Sequence, residues 1–180
     1  MRLIIIVLAQ HLGASSLTIG LIFGIGGIGG IVGALLGAQV QRRFSFGKVI
    51  IGAFWAFAVI WPLYALAPSP FVIGVILACF WLVDEIYDVV QISYRRAQVP
   101  DALQGRVNSA YRVLIYSLVA LGEVLTGYLL QSVGPDSTIL LFAACLVLLA
   151  LGATFNRRVW KAAPPVGVGE EGEQMEMSPQ

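Results

Sequence analysis

The stretch GIGGIGGIVGALLG, residues 24–37, satisfies two incompatible patterns. Gly24, Gly26 and Gly29 fit G-x-G-x-x-G, the turn that cradles a dinucleotide's pyrophosphate between a strand and a helix. Gly20, Gly24, Gly26, Gly29, Gly30, Gly33 and Gly37 also recur at three- and four-residue spacings, as small residues do where two membrane helices touch. The surroundings decide between them. A dinucleotide turn needs a preceding strand and an acidic residue about 20 positions on to hold the ribose. Here the glycines lie inside one continuous apolar run, residues 17–40, and no Asp or Glu precedes Asp84. The stretch is therefore read as a helix built for close approach by another helix, with Gly26, Gly30, Gly33 and Gly37 as packing positions.

The rest of the chain places that helix in lipid. Of 180 residues, 58% are hydrophobic and 12% charged, against about 25% charged in a soluble domain. Too little polar surface remains to face water. Five long apolar runs, residues 17–40, 49–66, 71–94, 113–131 and 139–155, are each near the ~20 residues that cross a bilayer as a helix. The runs are continuous rather than alternating, which argues against a strand barrel. A sixth run, residues 3–12, spans only roughly 15 Å of helix. Cys79 and Cys145 sit inside apolar runs without metal-ligand spacing and read as small packing residues. No metal, cofactor or nucleic-acid partner is expected, since the net charge is only +1 and the basic residues are segregated along the chain.

That segregation gives an orientation. Arg42, Arg43 and Lys48 follow the first long run, and Arg95, Arg96, Arg106 and Arg112 follow the third. Arg157, Arg158 and Lys161 follow the fifth, while the turns at 67–70 and 133–137 contain no Lys or Arg. The positive-inside rule makes the basic side cytoplasmic. The expectation is a multi-pass cell-membrane protein with its C-terminus in the cytoplasm. Residues 1–16 share a basic start and small residues with signal peptides, but are read as a truncated transmembrane segment and outer loop. Residues 17–158 form a five-helix transmembrane domain. Residues 159–180 carry four Glu among Pro and Gly and are expected to be a disordered cytoplasmic tail.

The stretch RRAQVPDALQGRVNSAYR, residues 95–112, resembles the loop between the tenth and eleventh helices of major facilitator superfamily exporters, in the macrolide-efflux and enterobactin-exporter-like group. Pro100, Leu103, Gly105, Arg106, Val107 and Arg112 match that pattern in place. GALLGAQVQRRFSFGK, residues 33–48, is similar to the family's Gly-rich loop after the eighth helix, with Gly33, Arg42, Arg43 and Gly47 matching and its acidic residue missing. The resemblance implies an all-α fold: the C-terminal six-helix half, from the end of helix seven through helices eight to twelve. It also implies a missing N-terminal six-helix half, in the same or a separate chain, against which this half rocks. Arg42, Arg43, Arg95, Pro100, Gly105, Arg106 and Arg112 would then be gating or cytoplasmic-loop positions.

The candidate chemistry lies on the third long run. Asp84, Glu85 and Asp88 fall near its middle, where ionisable residues are costly and usually functional. Trp81, Asp84, Asp88, Gln91 and Arg95 follow helical spacing along one stripe. Glu123 lies near the middle of the next run, with Arg112 about three turns below on roughly the same face. Adjacent carboxylates do not all ionise together, so such a cluster suits proton coupling or substrate binding, with Asp84 the first choice. Asp84-Glu85-x-x-Asp88 also suits magnesium held against a diphosphate, but a second acidic cluster is lacking and an enzyme is not expected. His11 is read as interfacial; the tryptophans are mostly anchors and packing residues, with Trp81 also placed to stack on an aromatic substrate. The expected function is a fragment of a proton-coupled secondary transporter exporting a small amphiphilic molecule by alternating access. The alternative is a non-transporting subunit that docks on another membrane protein.

Overall fold

A chain this apolar satisfies its backbone hydrogen bonds within helices, because lipid offers no partners for them. The computed structural model describes residues 2–155. It contains α1 (Arg2–His11), α2 (Ser16–Arg43), α3 (Phe46–Ile60), α4 (Pro70–Gln98), α5 (Asp101–Val133) and α6 (Pro135–Phe155). A short 3₁₀ turn, Trp61–Tyr64, extends α3. Among the described residues five helices are long and apolar enough to cross a membrane, and α1 is not one of them. The tail at 159–180, together with Arg157, Arg158, Trp160 and Lys161, lies outside the described residues.

Local chemistry sets the breaks. Gly13 adopts φ +73° after α1, and its N–H bonds to the Gln10 carbonyl at 2.9 Å while Ala14 N–H reaches Ala9 at 3.0 Å. This paired closure needs a left-handed residue, which glycine adopts without Cβ strain. Ser15 caps α2 by accepting from Thr18 N–H at 3.3 Å. Pro62 lacks an N–H, and the chain tightens from α-helix to 3₁₀ at that point. Pro70 and Pro135 open α4 and α6, where the missing N–H costs nothing.

The connection between α4 and α5 corrects the reading of residues 95–112 as a loop and of the fourth run as starting at 113. α4 continues to Gln98, only Val99 and Pro100 break it, and α5 begins at Asp101. Polar residues end an apolar run without ending a helix. A helix that leaves the hydrocarbon keeps its hydrogen bonds in the headgroup region.

α2 lies along α4, and both run in the same direction, since ascending positions on one meet ascending positions on the other. A methyl at Gly29 would run into the Ala78 carbonyl, and one at Gly33 into the Leu82 carbonyl. At Gly26 it would lie 2.8 Å from Leu77 Cγ, and at Gly37 2.9 Å from Val89 Cβ. Gly30 stands beside this seam, with 3.6 Å to Glu85 Cγ. The tight line is thus Gly26, Gly29, Gly33, Gly37, with Gly29 in the place assigned to Gly30. The positions that meet the partner are thus i, i+3, i+7 and i+11 along α2.

The core fills one half of the bundle. Ile4, Ile5, Leu8 and Ala9 of α1 pack with Ile22, Phe57, Trp61, Tyr64, Ile73, Leu77, Phe80 and Ile139. These residues come from the first turns of α2, α4 and α6 and the last turns of α3, all toward the end where the connectors lack basic residues. The other end carries Arg42, Arg43, Lys48, Arg95 and Arg96 and is called the basic end below. There Phe46 stacks on Tyr94 at 3.9 Å, and Trp55 Nε1 donates to Thr154 Oγ1 at 3.1 Å to tie α3 to α6. α5 is the least covered helix: Val113, Leu114, Leu118, Leu121, Val124 and Tyr128 are all exposed.

Candidate functional site: a carboxylate stripe and an arginine-lined cavity

α4 carries the site because it is packed on one side by α2 and left open on the other near the basic end. The predicted stripe divides between these two environments. Trp81 and Glu85 turn toward α2: Glu85 Cβ and Trp81 Cβ lie over Gly33 and Gly30, and the Trp81 ring meets Phe23 at 6.3 Å. Bare glycine backbone makes room for these two stems. This corrects the placing of Trp81 on the same side as Gln91 and Arg95. The α2 contact on α4 runs through Leu77, Ala78, Trp81, Leu82, Glu85 and Val89, so Trp81 falls at the edge of the stripe nearest α2 and Gln91 and Arg95 fall beyond it.

Asp88, Gln91 and Arg95 instead line a cavity of about 740 Å3 between the basic ends of α4 and α5. Gln91 joins the two helices. Its Oε1 accepts from the Tyr111 hydroxyl at 3.2 Å, and its Nε2 donates to the Tyr87 hydroxyl at 3.4 Å. Arg95 lies with its guanidinium carbon 3.7 Å from the centre of the Tyr111 ring, a cation–π arrangement. Asp84 is half-buried and does not line this cavity, whereas Glu85 and Asp88 are exposed. Of the three acids on α4, Asp84 is therefore the most withdrawn from solvent.

The remaining predicted residues fall as follows. Glu123 is half-buried in the second half of α5. Arg112 is exposed and lines the cavity, while Arg106, one helical turn before Ala110, is exposed and does not. Pro100 is the residue before α5, and Gly105 lies within its second turn, its carbonyl accepting from Ser109 Oγ at 2.9 Å. Arg42 and Arg43 close α2, where positive charge complements the carbonyl end of a helix. They are not in the cavity wall.

Tyr87, Asn108 and Tyr111 were not among the residues singled out from the sequence. The signal for the latter two was present: Gln104, Asn108, Tyr111 and Ile115 recur at the three- and four-residue spacings of one helical face. It becomes readable only once α5 is extended back to Asp101.

The architecture can then be set against known proteins. No curated protein and no solved structure matches the chain. The family model described as Major Facilitator Superfamily matches residues 2–175. That match covers nearly all of a multi-pass helical chain, and the chain belongs to the Major Facilitator Superfamily, a family of secondary transporters of small molecules and not of enzymes.

Proposed function

We propose that this chain is a six-helix unit of a proton-driven exporter, in the macrolide-efflux and enterobactin-exporter-like group, that moves a small amphiphilic molecule by alternating access. The observation that carries the reading is the place of Asp84, half-buried in a membrane-crossing helix and one turn from Asp88 at the mouth of a polar cavity. A carboxylate so placed takes a proton in one orientation of the unit and releases it in the other. Asp88 and Gln91 serve the substrate side, and Glu123 on α5 is a second acid within the span. Arg42, Arg43, Arg95, Arg106 and Arg112 steady the helix ends that open and close.

Alternating access needs a second helical unit, in this chain's gene product or another. Two faces suit one. α5 presents the apolar side chains described above, and on α2 a methyl at Gly20, Gly24 or Gly27 would meet nothing within 4 Å. Small residues facing open space are suited to a further helix. The same face favours the second reading, a subunit that docks on another membrane protein without itself transporting. A docking subunit would have no use for Asp84, so loss of transport on its substitution separates the two readings.

Orientation provides a direct test. The basic end is expected in the cytoplasm, in the plasma or inner membrane. Cysteines introduced at Ser69 and Ser137 in a background without Cys79 and Cys145 are expected to react with an impermeant maleimide added to intact cells. One at Ser45 is expected to react only after permeabilisation. The reverse pattern would invert the unit and remove the basis for export.

A further inference from the structure

The cavity between α4 and α5 carries more positive than negative charge in its walls. Its charged walls are Arg95, Arg96 and Arg112, opposed among the described residues by Asp88 alone. At about 740 Å3 it has room for a phosphate group and several waters, each of about 30 Å3. Arginine's planar fork matches two oxygens of such a group at once.

The state of Arg95 is informative. Its guanidinium carbon lies over the Tyr111 ring at 3.7 Å, and Tyr111 is in turn hydrogen-bonded to Gln91. A cation–π contact places the guanidinium without supplying an oxygen acceptor for its N–H donors. Arg95 Nη1 is buried and has no hydrogen-bond partner. A buried charged donor without an acceptor is costly, and an oxygen anion removes that cost. Asn108, also in the wall, adds a neutral donor to the same cavity.

Position narrows the ligand. The arginines lie toward the basic ends of α4 and α5, both long and apolar enough to cross a membrane, and the ends of such helices meet lipid headgroups. Next along α5 from Arg112, away from the basic end, Val113, Leu114 and Leu118 are exposed, a surface along which acyl chains can lie. Basic pockets between membrane helices bind anionic headgroups for this reason. We propose that this cavity binds an anionic phosphate group through Arg95 and Arg112, with a phospholipid headgroup as its source. The proposal does not depend on proton coupling at Asp84.

The test is native mass spectrometry of the purified full chain in neutral detergent, titrated with phosphatidylglycerol and, for comparison, with zwitterionic phosphatidylcholine. Inorganic phosphate is titrated in parallel by calorimetry. Phosphatidylglycerol is expected to bind more tightly than phosphatidylcholine. Arg95→Gln and Arg112→Gln are each expected to weaken it about tenfold or more, the loss typical of a charge-assisted hydrogen bond. Lys48→Gln removes one charge from an exposed side chain at the same end but outside this cavity, and is expected to leave the affinity unchanged. If inorganic phosphate binds with the same arginine dependence and the lipid does not, the phosphate site stands and its source is a soluble compound. If neither binds, or if Lys48→Gln weakens binding as much as Arg112→Gln, the proposal is overturned. Should Arg95→Gln fail to fold, Arg112→Gln decides alone, because its side chain is exposed.

Discussion

Gly29→Leu and Gly33→Leu are each expected to remove most of the folded protein. Both glycines face backbone of α4: a side chain at Gly29 meets the Ala78 carbonyl, and one at Gly33 meets the Leu82 carbonyl. A flexible side chain could rotate away, but a carbonyl inside a helix cannot, so the two helices must part. Overpacking a core typically costs about 1–3 kcal/mol, more when the backbone has to move. Native stabilities are only about 5–15 kcal/mol. Because α2 and α4 run side by side, separation at one point opens the contacts at Gly26 and Gly37 as well. Gly52→Leu, on an exposed face of α3 with nothing within 4 Å, is the comparison and is expected to purify like wild type. Size-exclusion profiles in mild detergent and thermal melting read the difference. A monodisperse Gly29→Leu with an unchanged melting point would mean that the seam is looser than described.

The same seam shows how far the sequence could be read. Glycine periodicity and the absence of an early acid were enough to identify a packed membrane helix. The choice between Gly29 and Gly30 was not readable, because the phase of a contact is set by the partner's side chains, here Leu77, Ala78, Leu82 and Val89. The carboxylate stripe was likewise visible as spacing along α4. Its division, with Trp81 and Glu85 toward α2 and Asp88, Gln91 and Arg95 toward the cavity, depends on which flank of α4 is covered by α2. The start of α5 was hidden for a different reason. Hydropathy picks out apolar runs, and residues 101–112 are helix with too many polar residues to form one. With that helix read as loop, Tyr111 could not be placed opposite Gln91 and Arg95.

Asp84→Asn is expected to reduce concentrative transport to background while leaving the protein folded. Asparagine keeps the size of the side chain and its capacity for hydrogen bonds, and removes only the exchangeable proton. Its neighbours limit the structural effect: Asp84 is half-buried, forms no part of the glycine seam, and does not line the arginine cavity. If Asp84 carries the coupling proton, the variant still binds substrate and exchanges it across the membrane, but can no longer accumulate it against a gradient. The substitution belongs at the native locus, so that any second helical unit is present. Equal loss of binding and of accumulation would assign Asp84 to the substrate instead. Wild-type accumulation would move the coupling role to Glu123, the other half-buried acid within the spans.

Proton drive is the central claim, and everted vesicles from cells carrying the native protein test it most directly. In them an exporter pumps inward, so a fluorescent amphiphilic cation such as ethidium can be followed as it accumulates, with vesicles from a deletion strain as the baseline. The account predicts accumulation above that baseline when the lumen is acid, its collapse on addition of a protonophore, and no accumulation in Asp84→Asn vesicles. Accumulation that survives the protonophore, or that follows an imposed sodium gradient with no pH difference, would contradict it.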